Sequence, residues 1–398
     1  MGLEFLSPKG GRKMPWRVKD VMEQRMEFVI RAVQGREPLS GLCREYGISR
    51  PTGYLWTRRY REVGSVQGLG ERSRRPQNSP GRTPSEMEER VVALRRQHGW
   101  GAKKLGVLLA RERIPLKVVT VNRILKRRGL LVAEECHRPA TQRFEREAPN
   151  QLWQMDFKGP WAVVEGQCYP LSILDDHSRY LVGLHALRGT EAAGVAYGLM
   201  RTFETYGVPE AMLMDHGTPW WSTTGAQGLT WLSVELIRQG IRLYYSGVRH
   251  PQTQGKVERL YRSLKHQIDR RARPRTLAES AQALGEFRAE YNQVRPHEAL
   301  GMDVPAQHYQ PSRKAYDPQP RDWEYGEGKR VQRLNSQGCL DYEQHRYFVC
   351  EALAEQRVCV ERIEVKLLVK YRHMWVREID LRSGRTTAVV LPDPHPGV

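Results

Sequence analysis

Three carboxylates in the middle of the chain have surroundings that suit metal-dependent chemistry. Asp156 lies in a short apolar segment, Asp215 closes another, and Glu258 lies in a segment with helical periodicity. An acid buried beside an apolar strand costs free energy unless it is paired or bound to a cation. Two aspartates and a glutamate brought together would repel one another, and divalent cations would relieve that repulsion. These residue types therefore indicate a metal site built from oxygen ligands.

The chemistry that such a site would support is phosphoryl transfer. Oxygen-only ligands select Mg²⁺ or Mn²⁺ over zinc. Two such ions, roughly 3.5–4 Å apart, clamp the attacking and leaving oxygens of the displacement, so two ions are expected. Spacing alone leaves a rival pair of acids open. Asp175 and Asp176 precede a turn, where they would form a hairpin or an ion pair with Arg179.

Basic residues follow the glutamate at helical spacing. Glu258, Arg262 and Lys265 stand at positions i, i+4 and i+7 and therefore share one helix face. Such a face could hold a metal ion and the DNA phosphate next to it, and Gln254 and His250 could reach the same site. The alternative is an exposed ion pair, which would contribute only about 0.3–0.5 kcal/mol.

The elements that must position these acids alternate between short strands and helices. This pattern, with three strands before the first helix, predicts an α/β domain with a mixed sheet. Strands are predicted over 151–158, 168–175, 180–187, 211–215 and 241–245, and helices over 191–206, 230–239, 254–268 and 277–292.

The first third of the chain carries most of the positive charge. Residues 1–148 hold 32 of the 64 Lys and Arg side chains and 16 of the 45 Asp and Glu side chains, in a chain with net charge +19. This asymmetry predicts a nucleic acid or an anionic membrane surface as partner. A membrane is disfavoured, because no basic helix has a strongly apolar face and no apolar run reaches about 18 residues.

Two helical units in this basic part have the spacing of helix-turn-helix domains. The first comprises helices over 21–34 and 40–46 and a third from the N-cap Ser49 to about Arg61. The alternative is an ordinary three-helix bundle with a solvated basic face. The second has helices over 86–97, capped by Ser85, over 102–112 and over 118–128, and its apolar third helix favours contacts to the DNA backbone. The predicted DNA-binding residues of the first unit are Arg50, Thr52, Tyr54, Arg58 and Arg59.

The remaining segments complete the predicted domain organisation. Short alternating runs near the C-terminus predict a small β-barrel. The six cysteines form no CxxC pair, and the N-terminus lacks an apolar stretch, so a reduced, cytosolic protein is expected. The predicted segments are a disordered extension (1–20), a helix-turn-helix (21–63), a linker (64–84), a second helix-turn-helix (85–132), a linker (133–149), the catalytic core (150–312) and the barrel (318–398).

Longer motifs add a family resemblance to these spacings. Residues 150–310 resemble the integrase catalytic core of bacterial insertion-sequence transposases, which are related to retroviral integrases. The stretches that carry the resemblance are Asn150–Phe157, Leu174–Tyr180, Met214–Gly217, His250–Arg259 and the tail from Tyr291 to Ala306.

The resemblance implies an RNase H-like fold and a metal-binding DDE triad. It assigns the triad to Asp156, Asp215 and Glu258, and it makes Asp175 and Asp176 a structural turn. Arg262 and Lys265 match the basic residues that follow the family's glutamate.

Two features depart from the family pattern. More residues separate Asp215 from Glu258 than in many members, and the extra length is expected in a loop over 223–230, where it would be tolerated. His216 stands where many members have asparagine.

The resemblance implies a multidomain α/β DNA transposase that binds the terminal inverted repeats of its element. It would hydrolyse a phosphodiester to expose a 3′-OH and then join that end to target DNA. Double-stranded DNA and further copies of the chain are the expected partners, in the bacterial cytoplasm and at the nucleoid, with no membrane. Two alternatives stay open: a non-catalytic DNA-binding regulator derived from a transposase, and a metal-dependent nuclease.

Overall fold

A computed structural model describes residues 20–72, 81–131, 145–223, 228–246 and 255–391. The chain divides into two compact units, Met1–Arg82 and Thr83–Val398. Within the described ranges, no helix combines the length and the apolar character needed to cross a membrane.

Three helices build the first unit, as predicted. The Ser49 hydroxyl caps the third helix by accepting from the backbone N–H of Thr52 at 3.3 Å. Gly53 lets this helix approach the second one closely, because a Cβ there would lie 2.6 Å from the sulfur of Cys43. The helices are α1 (Val21–Gln34), α2 (Leu39–Glu45) and α3 (Arg50–Val63).

The segment predicted as a linker begins later than expected. Val66–Leu69 forms a 3₁₀ turn, and the Leu69 side chain is fully buried against Phe28 and Trp56. The prediction of a linker from residue 64 is therefore wrong for these residues. The Gly- and Ser-rich composition concealed a single apolar anchor, and burial of one leucine contributes about 1.5–3 kcal/mol.

The second unit begins with another three-helix group. Ser85 does not cap its first helix as predicted; Pro84 occupies the cap position, and the Ser85 hydroxyl bonds to Glu89 inside the first turn. The buried carboxylate of Glu88 pairs with Arg127 at 2.5 Å and thereby ties the first helix to the third. The helices are α4 (Ser85–His98), α5 (Ala102–Arg111) and α6 (Val118–Arg127).

A mixed sheet follows, as the pattern of short strands predicted. Strand β1 pairs antiparallel with β3 and parallel with β5, β5 pairs parallel with β8, and β3 also pairs antiparallel with β2 and β4. The strands are β1 (Trp153–Phe157), β2 (Trp161–Val163), β3 (Gly166–Asp175), β4 (Leu181–Leu187), β5 (Ala211–Met214), β6 (Trp221–Ser222), β7 (Gly228–Leu229) and β8 (Arg242–Tyr245). The helices are α7 (Ala192–Tyr206), α8 (Trp231–Arg238), α9 (Gly255–Arg270) and α10 (Leu277–Gln293).

Separate apolar clusters cover the two faces of this sheet. Met155 packs in the cluster with α7 and α8, whereas Leu174 of β3 packs in the cluster with α9 and α10. Side chains alternate between the faces of a strand. Asp156 therefore points away from Met155, towards the face that α9 covers.

The C-terminal region is an open sheet, so the predicted barrel is not confirmed. Five strands pair antiparallel in the order β15-β14-β13-β12-β9, and β10 and β11 form a separate hairpin. The apolar side chains of this sheet join the cluster of the central sheet, with the backbone N–H of Leu243 3.3 Å from the Met374 sulfur. Because the neighbouring domain covers this face, closure is unnecessary. The strands are β9 (Val331–Arg333), β10 (Cys339–Tyr342), β11 (His345–Phe348), β12 (Arg357–Ile363), β13 (Lys366–Tyr371), β14 (Met374–Asp380) and β15 (Thr386–Ala388).

A buried histidine after α10 makes stability depend on pH. Burial, together with the charges of Arg295, Lys104 and Arg179, lowers the pKa of His297 to about 3. The unfolded chain then binds the proton more tightly, so stability is full above about pH 6.5 and falls as the pH drops towards 3. We expect a loss of about 2 kcal/mol between pH 7 and pH 5 from this group.

Urea unfolding at a series of pH values measures this loss. His297→Phe should reduce the loss by about 2 kcal/mol, because the group no longer titrates. His345→Phe, at an exposed position, is the matched control and should retain the wild-type profile. An unchanged profile in His297→Phe would contradict the assignment.

Candidate active site

The strand register brings the two aspartates side by side. In the parallel pair of β1 and β5, Gln154 lies opposite Leu213. Two residues further along, the same register aligns Asp156 with Asp215, which directly follows β5. Neighbouring strands are about 4.8 Å apart, so the carboxylates meet at one end of the sheet.

The pKa of Asp156 responds to both of the other acids. Burial, followed by the negative charge of Asp215 and to a smaller extent that of Glu258, raises the pKa of Asp156 to about 7 against the opposing hydrogen bond from the Phe157 N–H. A carboxyl group in this setting resists ionisation unless a positive charge compensates it. Asp156 is therefore influenced by both of the other predicted acids, and the three side chains offer only oxygen atoms to a cation.

Helix α9 supplies the glutamate and is fastened to β1. Glu258 lies in the first turn of α9, with its side chain exposed. One turn later, the Tyr261 hydroxyl donates to the backbone carbonyl of Asp156 at 2.5 Å and lies 2.7 Å from the Ser172 hydroxyl. Tyr261 thus connects α9, which carries Glu258, to β1, which carries Asp156. Sequence reasoning missed this tyrosine, although its position three residues after Glu258 was visible.

Removing the Tyr261 hydroxyl should loosen this connection. We expect Tyr261→Phe to lower the free energy of unfolding by about 1 kcal/mol, because a buried hydrogen bond is lost. Tyr309→Phe is the matched control: its hydroxyl is buried and has no hydrogen-bond partner among the described residues, so its removal should not destabilise the fold. Urea unfolding of both variants measures the difference, and equal losses would contradict the role of Tyr261.

The rival acids form a structural turn, as the resemblance implied. Asp175 accepts from the N–H and the hydroxyl of Ser178 at 2.8 and 2.6 Å. Asp176 is also fully buried, and it pairs with Lys256 at 2.5 Å rather than with Arg179. Since Lys256 lies in the first turn of α9, this pair ties the start of that helix to the turn after β3.

The predicted basic residues lie on the surface beside the acids. Arg262 and Lys265 have exposed side chains on α9. Sequence reasoning missed Lys158, two residues after Asp156; burial lowers its pKa, and the charge of Lys265 lowers it further. Gln254 lies outside the described residues, as does His250.

Three of the five predicted DNA-binding residues in α3 form an exposed face. Arg50, Tyr54 and Arg58 are exposed at intervals of four residues, and Tyr54 is 64% exposed. The other two are engaged within the unit. Thr52 lies 2.8 Å from the Ser49 hydroxyl, and the Arg59 guanidinium lies over the Trp56 ring.

Within the part of the chain that the structure describes, no group of three or more His, Cys, Asp or Glu side chains forms a ready-made metal site. The fit of a cation therefore depends on the paired aspartates and on the charge that Glu258 adds. Their mutual repulsion and their oxygen-only chemistry suit a divalent cation.

Family models match the part of the chain that contains these three acids, and other models match the part before it. A model described as "Integrase core domain" matches residues 146–251, and a second model with the same description matches residues 239–305. The chain contains an integrase core domain. The integrase core includes all three predicted acids, and models described as "Helix-turn-helix domain" and "Homeodomain-like domain" match residues 24–77 and 52–125 before it.

A curated relative covers much of the same region. The insertion element IS407 uncharacterized 31.7 kDa protein of Burkholderia multivorans (strain ATCC 17616 / 249) is 24% identical over 214 residues, which are 52% of this chain and 74% of that protein. With the domain matches, it confirms the resemblance to insertion-sequence transposases with an integrase core. The domain content is that of a transposase-type, DNA-binding protein.

Two solved structures are similar to parts of this chain. One is the HTLV-2 integrase catalytic core domain in complex with magnesium (trimeric form), 15% identical, covering 41% of this chain and 99% of that chain with a TM-score of 0.32. The other is a chain of the simian T-cell lymphotropic virus intasome in complex with PP2A regulatory subunit B56 gamma, 12% identical, covering 76% of this chain and 100% of that chain with a TM-score of 0.38.

Proposed function

We propose that this protein is a DNA transposase that cleaves the 3′ ends of its element and joins them to target DNA. The observation that carries the proposal is the alignment of Asp156 with Asp215 beside the helix that bears Glu258. Both proposed steps are in-line displacements at phosphorus, in which water and then the new 3′-OH attack.

Asp156, Asp215 and Glu258 would hold the divalent cation, Mg²⁺ or Mn²⁺, with two ions bound in the working site. When bound, these ions supply charge stabilisation to the attacking and leaving oxygens. The protein's own residues orient the DNA: Lys158, Arg262 and Lys265 would contact phosphates next to the acids, and Gln254 would lie at the start of the same helix.

The helix-turn-helix units would bind the terminal inverted repeats of the element. In α3, Arg50, Tyr54 and Arg58 present the exposed face that enters the major groove. Joining two element ends in one reaction requires at least two catalytic cores, so we propose that the protein works as a homo-oligomer on bacterial chromosomal DNA.

Strand transfer by the purified chain tests this function. The substrate is a labelled duplex taken from the DNA that flanks its own gene, the target is a supercoiled plasmid, and Mg²⁺ or Mn²⁺ is added. Joined product that disappears in Glu258→Gln is the expected result. Nicking without joining would support a nuclease instead, and specific binding without either reaction would support a regulator.

A further inference from the structure

We infer that Trp220 is a positioning residue for the active site, because its indole N–H holds the carboxylate of Asp215 in the orientation that receives a metal ion. This inference rests on the proposed function, since it assumes that Asp215 is a metal ligand. It assigns a role to a buried tryptophan that neither the sequence motifs nor the proposed chemistry uses.

The contact is direct and aimed at one oxygen. The Trp220 Nε1 donates to Oδ1 of Asp215 at 2.7 Å and to the backbone carbonyl of the same residue at 2.9 Å. The Gly217 N–H donates to Oδ1 as well, at 3.2 Å. Two donors therefore occupy Oδ1, and Oδ2 receives no hydrogen bond among the described residues. Hydrogen bonds from residues outside the coordination sphere orient a carboxylate ligand towards the metal ion.

Trp220 is itself rigidly held. Its side chain is 1% exposed, and its backbone carbonyl accepts hydrogen bonds from the hydroxyls of Ser233 and Tyr245. A donor fixed by its surroundings loses little entropy when it binds the carboxylate. The orientation of Asp215 is therefore set before any metal ion arrives.

The same tryptophan links the two aspartates. Its ring stacks on Phe157, with ring centroids 5.5 Å apart and planes inclined by 14°. The Phe157 N–H in turn donates to Oδ1 of Asp156 at 2.8 Å. The two stacked residues thus each donate to one carboxylate at its Oδ1 atom, Trp220 through its indole N–H and Phe157 through its backbone N–H.

Glycine at position 217 completes the arrangement. A Cβ there would lie 3.0 Å from Oδ2 and 3.1 Å from Oδ1 of Asp215. These separations are tighter than normal contacts, and the carboxylate cannot withdraw without weakening its bond to Trp220. Gly217→Ala should therefore disturb the same carboxylate with the indole intact.

Manganese binding to the full chain without DNA tests the inference. Free Mn²⁺ is followed by electron paramagnetic resonance for wild type, Trp220→Phe, Gly217→Ala and Asp215→Asn. Trp220→Phe keeps an aromatic ring for stacking and removes the donor; the same loss of ring volume in the control variant accounts for the smaller side chain. Trp153→Phe is the matched control, because that indole is also fully buried and donates at 3.1 Å to the side-chain oxygen of Asn150 rather than to a carboxylate.

We expect Trp220→Phe and Gly217→Ala to weaken Mn²⁺ binding by about 10- to 100-fold, with Trp153→Phe within about 2-fold of wild type. Strand transfer by Trp220→Phe should recover at high Mn²⁺, a response that a purely structural defect would not give. If Trp220→Phe does not fold, Gly217→Ala decides the question.

The two possible failures are distinguishable. Wild-type Mn²⁺ affinity in Trp220→Phe, combined with lost binding in Asp215→Asn, would overturn the positioning role and leave the proposed function standing. Unchanged Mn²⁺ binding by Asp215→Asn would show that Asp215 is not a metal ligand. That result would overturn both the positioning role of Trp220 and the proposed metal site. Equal weakening in Trp220→Phe and Trp153→Phe would reduce Trp220 to a packing residue.

Discussion

Asp156→Asn should abolish strand transfer, with a loss of at least about 10³-fold, equivalent to roughly 4 kcal/mol of transition-state stabilisation. Asp156 lies beside Asp215, and the charges of Asp215 and Glu258 both act on it. Replacing its carboxylate removes one of the three proposed metal ligands. The assay is joining of a pre-cleaved element end to plasmid DNA with Mg²⁺.

The same substitution should leave the fold intact. Burial and neighbouring negative charges disfavour the ionised form of Asp156, so a neutral side chain relieves repulsion, and an asparagine oxygen can still accept from the Phe157 N–H. We therefore expect an unfolding temperature no lower than that of wild type, an expected trade-off between stability and function.

An exposed acid on the helix that carries Glu258 provides the control. Asp269 lies on α9, where it forms an exposed ion pair with Arg273 at 3.0 Å. Asp269→Asn should keep strand transfer within about 2-fold, because exposed pairs contribute little. Full activity of Asp156→Asn with Mg²⁺ would contradict the triad assignment.

The double substitution Arg50→Ala/Arg58→Ala should weaken binding to the element end by roughly 10- to 100-fold. These side chains flank Tyr54 on the exposed face of α3, and the Arg58 pair with Glu62, at 3.6 Å, is too exposed to oppose DNA binding. If both arginines contact phosphates, the slope of log affinity against log salt should fall by about two. Fluorescence anisotropy with a labelled end duplex, at several salt concentrations, measures both quantities.

A control must show whether DNA binding weakens because positive charge is lost or because the exposed face of α3 is lost. Arg36→Ala/Arg44→Ala deletes two exposed arginines of the same unit that lie outside α3. This variant should bind the end duplex within about 3-fold of wild type. If both double variants weaken DNA binding equally, the first unit attracts DNA through its overall positive charge and not through the exposed face of α3.

Much of this protein could be predicted from local sequence. Apolar periodicity and caps predicted the helices of the first unit, with α1 matching residues 21–34. Alternating short strands predicted the mixed sheet, and Asp156 and Asp215 were visible because an acid beside an apolar strand is costly. These features could be predicted because hydrophobic spacing and capping depend on near neighbours in the chain.

The tertiary structure decided what depends on distant residues. Trp220, Tyr261 and Lys158 became meaningful only when strand register and helix packing brought them to the acids, up to 105 positions apart for Tyr261 and Asp156. A barrel was predicted for the C-terminal strands because their alternating pattern does not show that the central sheet's domain covers their apolar face. Burial and hydrogen-bond partners belong to the packed chain, so positioning residues have no local signature, whereas the acids that they position do.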